Sequence, residues 1–259
     1  LCELADFHHT TGVLAEALSL HVVALDIRRQ FLLASPAGGH PLVADSMLSV
    51  GRIKVELSRF NEGMVMLKEV MSMRKALYGS DSAQFAAAKL GSVQALLELG
   101  QYDEASECTK ACLSTFKKCY AEPHSLQAAC LRTEAHVQLA LGVTENAHAF
   151  VDQAYAQYSS IFAENHLECL ATQRLTAQIL IARGRYLEAK APLETVLTAH
   201  KDKFGKAHRE TAATLFSIGV DLMGLGKYTV ALPILERSTQ LLRRAIGEEH
   251  LTVSYAYDS

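Results

Sequence analysis

The chain has 259 residues, of which 49% are apolar and 20% charged, so it can bury a hydrophobic core and is not a disordered segment. Its formal net charge of −3 excludes a strong overall attraction to nucleic acids or anionic membranes, and no apolar run approaches the roughly 18 residues of a membrane span. Six cysteines without paired spacings favour free thiols in a reducing compartment. We expect no nucleic-acid or membrane partner and no cofactor.

Residues 1–41 are predicted to form a partial or irregular N-terminal repeat. The segment GVLAEA, from Gly12 to Ala17, resembles a motif that recurs later, but it precedes the next copy by 46 residues rather than 42. The loop from Ala34 to Gly39, which contains proline and glycine, accounts for the insertion. The sequence starts without a methionine or signal peptide, so we expect it to be part of a longer chain.

Residues 42–250 are predicted to contain five repeats of 42 residues. The motif appears as LSRFNEG, LGQYDEA, LGVTENA, RGRYLEA and LGKYTVA. Its second position holds Ser58, Gly100, Gly142, Gly184 and Gly226. A fixed period of this length indicates a solenoid. The predicted repeats span 42–82, 83–124, 125–166, 167–208 and 209–250, and residues 251–259 begin a further, truncated repeat.

Each repeat is predicted to contain two helices. In the second repeat, apolar residues from Phe85 to Leu99 recur at helical spacing. Gly100 then allows the left-handed backbone that closes a helix. Asp103 and Glu104 place negative charge in the first turn of the next helix, where the helix dipole favours it. Because the loops are short, neighbouring helices should be antiparallel.

Histidines recur in the loops between repeats at the same register, with Ser82 in one place. They are His40, His124, His166, His208 and His250. A metal site needs three or four clustered ligands, and residues in successive repeats cannot converge on one ion. The pattern therefore favours a turn and helix-start role.

Small residues stand seven positions before the motif's second residue, and an alanine follows the glycine by five positions in the later copies. The small residues are Gly51, Val93, Ala135, Ala177 and Gly219, and the alanines are Ala105, Ala147, Ala189 and Ala231. This pattern resembles the tetratricopeptide repeat, and the long unit with a loop histidine is similar to the repeats of kinesin light chain and nephrocystin. HEAT-like units fit the length but not the glycine–aromatic motif.

The resemblance implies an all-α, right-handed superhelical solenoid of helix-turn-helix repeats. It also implies a non-enzymatic protein–protein interaction scaffold or adaptor in the cytoplasm, within a cytoskeletal, motor-cargo or ciliary complex. A permanent structural spacer in a large complex, or the sensor arm of an enzyme or transcription factor, remains an alternative. The sequence shows no catalytic motif.

One departure concerns the asparagine pairs of kinesin light chain repeats, which contact the peptide backbone. The corresponding positions here contain no asparagine: they are Leu48-Ser49, Leu90-Gly91, Arg132-Thr133, Arg174-Leu175 and Phe216-Ser217. Cargo recognition by that particular mechanism is not expected.

The family's concave groove positions, carried over to this chain, define the candidate site. They are Arg52, Leu90, Gln94, Leu97, Arg132, His136, Leu139, Arg174, Gln178, Ile181, Phe216, Val220 and Met223. The middle is basic and the C-terminal part apolar, which suits an acidic-hydrophobic peptide whose carboxylates pair with exposed arginines. The alternatives are a solvated groove with incidental charges, or internal pairing of the charges with Glu98 and Glu134.

Cys108, Cys112 and Cys119, with His124 nearby, present a second candidate, a zinc site. The equivalent positions in the other repeats are mostly apolar, which favours core packing instead. We therefore predict no metal ligand.

Overall fold

The structure of the chain is a computed structural model that describes residues 1–32 and 39–246. The regular elements of these residues are all α-helices, which confirms the predicted all-α class. In chain order they are α1 (Cys2–Thr10), α2 (Leu14–Phe31), α3 (Pro41–Glu56), α4 (Phe60–Tyr78), α5 (Ala83–Glu98), α6 (Tyr102–Cys119), α7 (Ser125–Ala140), α8 (Thr144–Ile161), α9 (Leu167–Ala182), α10 (Tyr186–Phe204), α11 (Arg209–Gly224) and α12 (Tyr228–Ile246).

The helices are distributed over two compact units. Unit 1 comprises Leu1–Glu122 and unit 2 comprises Pro123–Ser259. In unit 1, α1 packs on α2, α3 on α4 and α5 on α6, and α2–α3 and α4–α5 contacts join the successive pairs. In unit 2, α7 packs on α8, α9 on α10 and α11 on α12, and α8–α9 and α10–α11 contacts join them. Each unit is therefore a stack of helix pairs.

The helix register follows the sequence period. The first helices of the pairs, α3, α5, α7, α9 and α11, each have 16 residues and begin 42 residues apart. The second helices α4, α6, α8, α10 and α12 keep the same spacing, whereas α2 begins 46 residues before α4. The predicted insertion loop lies, apart from Gly39, outside the described residues, as do His250 and the predicted truncated repeat at 251–259.

The residue that closes each first helix has the left-handed backbone that the sequence predicted. The φ angles are 73° at Gly100, 76° at Gly142 and 71° at both Gly184 and Gly226. Ser58 adopts the same region with φ 61°, although it has a side chain. These positions turn the chain into the second helix of the pair.

The loop histidines begin the first helices. The Nδ1 atom of His124 accepts the N–H of Leu126 at 3.2 Å, and His40, His166 and His208 make the equivalent bond two residues ahead. In the remaining place, the Ser82 hydroxyl accepts the N–H of Phe85 at 3.2 Å. The prediction of a helix-start role is confirmed, since each side chain satisfies an N–H that has no partner within its helix.

Small residues let the helices of a pair approach closely and form a continuous core with the next pair. In unit 2, Ala135 of α7 and Ala147 and Val151 of α8 pack with Leu175 and Ile179 of α9. All five side chains are buried. Within unit 2, α9 therefore covers the α7–α8 pair before it.

Two of the three candidate zinc cysteines belong to the core of unit 1. Cys108 and Cys112 are buried, and their thiols lie 3.4 Å and 3.3 Å from the carbonyl oxygens of Lys89 and Ala86. Core packing is confirmed for these two residues. Cys119, in contrast, is exposed.

Candidate functional site

Two of the predicted groove residues with polar side chains lie in unit 1. Arg52 on α3 and Gln94 on α5 are both exposed. The Gln94 amide donates to Glu98 at 2.7 Å, so Glu98 interacts within its own helix. Leu90 and Leu97 beside Gln94 are half-buried.

The remaining predicted residues lie on three first helices of unit 2. We call them together the first-helix face of unit 2. They are Arg132, His136 and Leu139 on α7, Arg174, Gln178 and Ile181 on α9, and Phe216, Val220 and Met223 on α11. Spacings of three, four and seven residues put the three members of each helix on one side. Because α7 contacts α9 and α9 contacts α11, the face is continuous.

Arg132 is not the exposed guanidinium that we expected. Its side chain is 22% exposed, and its Nη2 atom lies 2.7 Å from Oε2 of Glu168 on α9. The guanidinium also stands over the ring of Tyr158, 5.5 Å from the ring centroid. The charge of Arg132 is therefore neutralised within the chain and its side chain is held in one place.

Arg174 repeats this arrangement one helix pair later. Its side chain is 24% exposed, and its Nη2 atom lies 3.5 Å from Oε2 of Glu210 on α11. Burial raises the pKa of Glu210, but Arg174, then Arg209, His200 and His208, oppose it and lower the pKa overall. Glu210 therefore stays ionised near neutral pH and keeps the charge that Arg174 needs.

The alternative of internal pairing holds for both arginines, but with Glu168 and Glu210 and not with Glu98 and Glu134. Glu98 accepts from Gln94, as described, and Glu134 accepts from Gln138 at 2.8 Å. The sequence does contain a signal for the true partners: each arginine is followed 36 residues later by a glutamate. At the equivalent positions two repeats earlier, Leu48 is followed at the same distance by Gln84, so neither position carries a charge there.

His136 follows Arg132 by four residues on α7 and is an exposed residue. Loss of water to the surrounding protein lowers the pKa of His136 below its usual value, and the positive charges of Arg132 and Arg174 lower it further. Solvent at this exposed residue weakens the effect of burial, but the two guanidinium charges act in the same direction. The imidazole is therefore uncharged near pH 7.

His136 and Gln178 carry unused hydrogen-bonding groups on the first-helix face. Among the residues that the structure describes, neither side chain bonds to another residue. A neutral imidazole and a primary amide each offer a donor and an acceptor.

Asp221 on α11 is a polar residue that the sequence reasoning missed. It is 3% exposed, and within the described part of the chain its Oδ1 atom accepts no hydrogen bond. Burial raises its pKa, and the charge of Lys227 only partly opposes this. The signal was available in the repeat register, because the equivalent residues are Ile53, Ala95, Val137 and Ile179.

The described residues contain no group of three or more His, Cys, Asp or Glu side chains placed to hold a metal ion. None of their helices combines the length and the apolar character needed to cross a membrane.

Comparison with protein families matches two parts of the chain, residues 43–84 and 211–252, to the tetratricopeptide repeat. No curated protein matches the sequence at a significant level.

Solved structures resemble the chain more widely. A Podosopora anserina protein described as a kinesin light chain with nearly identical TPR-like repeats has a TM-score of 0.58 and 20% identity, covering 79% of this chain and 97% of its own. BtubC (BKLC) from P. vanneervenii has a TM-score of 0.64 and 13% identity, covering 92% and 93%. The Rap conjugation gene regulator of plasmid pLS20, solved with a Phr peptide, has a TM-score of 0.69 and 14% identity, covering 98% and 71%. The predicted tetratricopeptide solenoid fold is confirmed.

Proposed function

We propose that this chain of tetratricopeptide repeats is a non-enzymatic protein-interaction scaffold that holds a segment of a partner protein on the first-helix face of unit 2. The observation that carries the proposal is the composition of that face. Half-buried apolar side chains on three adjacent helices stand beside hydrogen-bonding groups that have no partner in the described residues. Solenoids use surfaces of this kind for binding, and the similar Rap regulator was solved with a peptide.

The proposal extends to the setting of the protein. Similarity to kinesin light chain structures favours an adaptor in the cytoplasm, within a cytoskeletal, motor-cargo or ciliary complex. The chain would then hold one component of that complex and contain no catalytic residues of its own.

Affinity capture from the protein's own cell extract tests the proposal. The bait variant Gln178→Ala with Met223→Ser removes one free amide and one apolar side chain of the face. Gln153→Ala with Thr195→Ser, at exposed positions of α8 and α10, provides a matched control. We expect selected partners to be lost with the face variant and retained with the control.

Circular dichroism melts would establish that both variants stay folded. Recovery of the same partners with all three baits would overturn the proposal. The chain would then act through other surfaces, as a structural spacer in a larger complex.

A further inference from the structure

Both arginines of the first-helix face of unit 2 are already paired with carboxylates of the chain. Arg132 is paired with Glu168 and Arg174 with Glu210, and His136 is uncharged. The two glutamates are held where they are, since their backbone N–H groups donate to His166 and His208 at 3.3 Å and 3.2 Å. The carboxylates of Glu168 and Glu210 thus neutralise Arg132 and Arg174 within the chain, and Glu210 also lies 3.5 Å from Nε of Arg209.

An acidic ligand would have to compete with the chain's own carboxylates. Glu168 and Glu210 have side chains that are 40% and 30% exposed. If ligand carboxylates replaced them, Glu168 would lose the guanidinium of Arg132, and Glu210 would lose that of Arg174 and keep only Arg209. Leaving a partly buried charge without its partner is unfavourable. A basic ligand would meet the same glutamates, already occupied, and would be repelled by the two arginines.

Apolar contact is what the face offers instead. Leu139, Ile181 and Met223 occupy one register position on successive first helices, and all three are half-buried. Leu139 packs on the core around Ala135, and Ile181 packs on the core around Ala177. These side chains are anchored from below and still have surface to bury against a ligand.

The free hydrogen-bonding groups bear on the conformation of the ligand. Backbone N–H and C=O groups of a helix are already satisfied internally, whereas those of an extended peptide are not. His136 and Gln178 stand three residues before Leu139 and Ile181, on the same side of their helices. They can therefore satisfy the backbone of an extended segment whose side chains contact the apolar row.

From this arrangement we infer that the face binds an uncharged, apolar peptide segment in extended conformation and discriminates against acidic segments. This inference rests on the proposed function, because it specifies the ligand class of the same face. The Arg132–Glu168 and Arg174–Glu210 pairs are then specificity determinants: they keep the two guanidiniums from ligand carboxylates.

Selection from a display library of random 12-residue peptides tests the inference with the intact chain as bait. We expect enriched peptides to have a net charge near zero and several aliphatic or aromatic residues. Their binding should change less than twofold between 50 and 500 mM salt, because screening does not affect apolar contacts. Binding should fall at least tenfold with Gln178→Ala plus Met223→Ser.

A second bait, Glu168→Gln with Glu210→Gln, releases the two guanidiniums while keeping side-chain volume. It should enrich acidic peptides whose binding weakens as salt increases. Enrichment of acidic peptides by the unmodified chain would overturn the ligand class while leaving the proposed function intact. If no peptide is enriched, or if enriched peptides bind the face variant equally well, the proposed function fails and the inference fails with it.

Discussion

Asp221 places a carboxylate where the equivalent residues of the other repeats are apolar. A carboxylate removed from water favours its protonated form, which is why the pKa of Asp221 is raised. The folded chain therefore binds this proton more tightly than the unfolded chain. Burying Asp221 therefore does not lower the free energy of unfolding below the ordinary aspartate pKa of about 3.9. Stability is lost as the pH rises through the higher pKa of the folded chain.

Asp221→Asn should consequently stabilise the chain at pH 8 by about 1–2 kcal/mol, since it removes a buried charge that lacks a full set of partners. The gain over the unmodified chain should shrink towards pH 4, because the buried aspartate of the folded chain takes up its proton as the pH falls towards the ordinary aspartate pKa of about 3.9. Urea unfolding at the two pH values measures the difference. Asp202→Asn, at an exposed position of α10, is the control. A gain that is equal at both pH values, or no gain at pH 8, would contradict this account.

His166 serves two purposes at the start of α9. Its Nδ1 atom accepts the N–H of Glu168, and its ring stacks on Phe162 with centroids 4.0 Å apart. His166→Ala should cost about 1 kcal/mol or more, because the cap is lost. His166→Ser should recover most of the cap, as Ser82 does at the equivalent position of α5.

Thermal unfolding of the two His166 variants separates capping from stacking. Equal destabilisation by alanine and serine would mean that the ring stack, and not the cap, stabilises this helix start. His148→Ala is a suitable control, because His148 lies within α8 and pairs with Asp152 at i,i+4, a contact worth a few tenths of a kcal/mol.

A contact between α11 and α10 explains why residue 224 is a glycine, although no turn requires one there. Gly224 is the last residue of α11, and a Cβ atom there would overlap the ring of Tyr186, the first residue of α10. One repeat earlier, Ala182 stands at the position equivalent to Gly224, and Thr144 stands at the position equivalent to Tyr186. The smaller partner accommodates the extra methyl group.

Gly224→Ala should therefore destabilise the chain by about 1–2 kcal/mol in the presence of Tyr186. In the Tyr186→Thr background it should cost nothing or be favourable, because alanine has the higher helix propensity. A double-mutant cycle by urea unfolding measures this coupling. If Gly224→Ala has the same effect in both backgrounds, the ring does not set the residue at position 224.

The fold was predictable from sequence because its signals are local and repeat five times: Gly100 and its equivalents close one helix, and His124 and its equivalents begin another. The face was predictable only as a set of positions. Arg132 and Arg174 contact glutamates 36 residues later, and this spacing acquires its meaning only when successive first helices are stacked. Asp221 was detectable by comparing repeats position by position, since it replaces an aliphatic residue.

At the scale of the molecule, a stack of helix pairs is stabilised mainly by contacts between neighbours. One register position of the first helix shows this directly. Ile179 of α9 is 0% exposed and packs on Ala147 and Val151 of the preceding pair. Phe7, at the corresponding position of α1, is 60% exposed. The same position thus has opposite surroundings at an inner pair and at the first described pair.

The loss of unfolding free energy when the side chain at this position is truncated should depend on its surroundings and not on its sequence register. Ile179→Ala should cost about 2–4 kcal/mol, because it leaves a cavity between α8 and α9. Phe7→Ala should cost less than about 0.5 kcal/mol, since it removes a side chain that already contacts solvent. Hydrogen exchange followed by mass spectrometry would report faster exchange in α9 for the first variant and unchanged exchange in α1 for the second. If Phe7→Ala accelerated exchange in α1 as strongly as Ile179→Ala does in α9, Phe7 would have to be covered in solution by a further helix pair or by another chain.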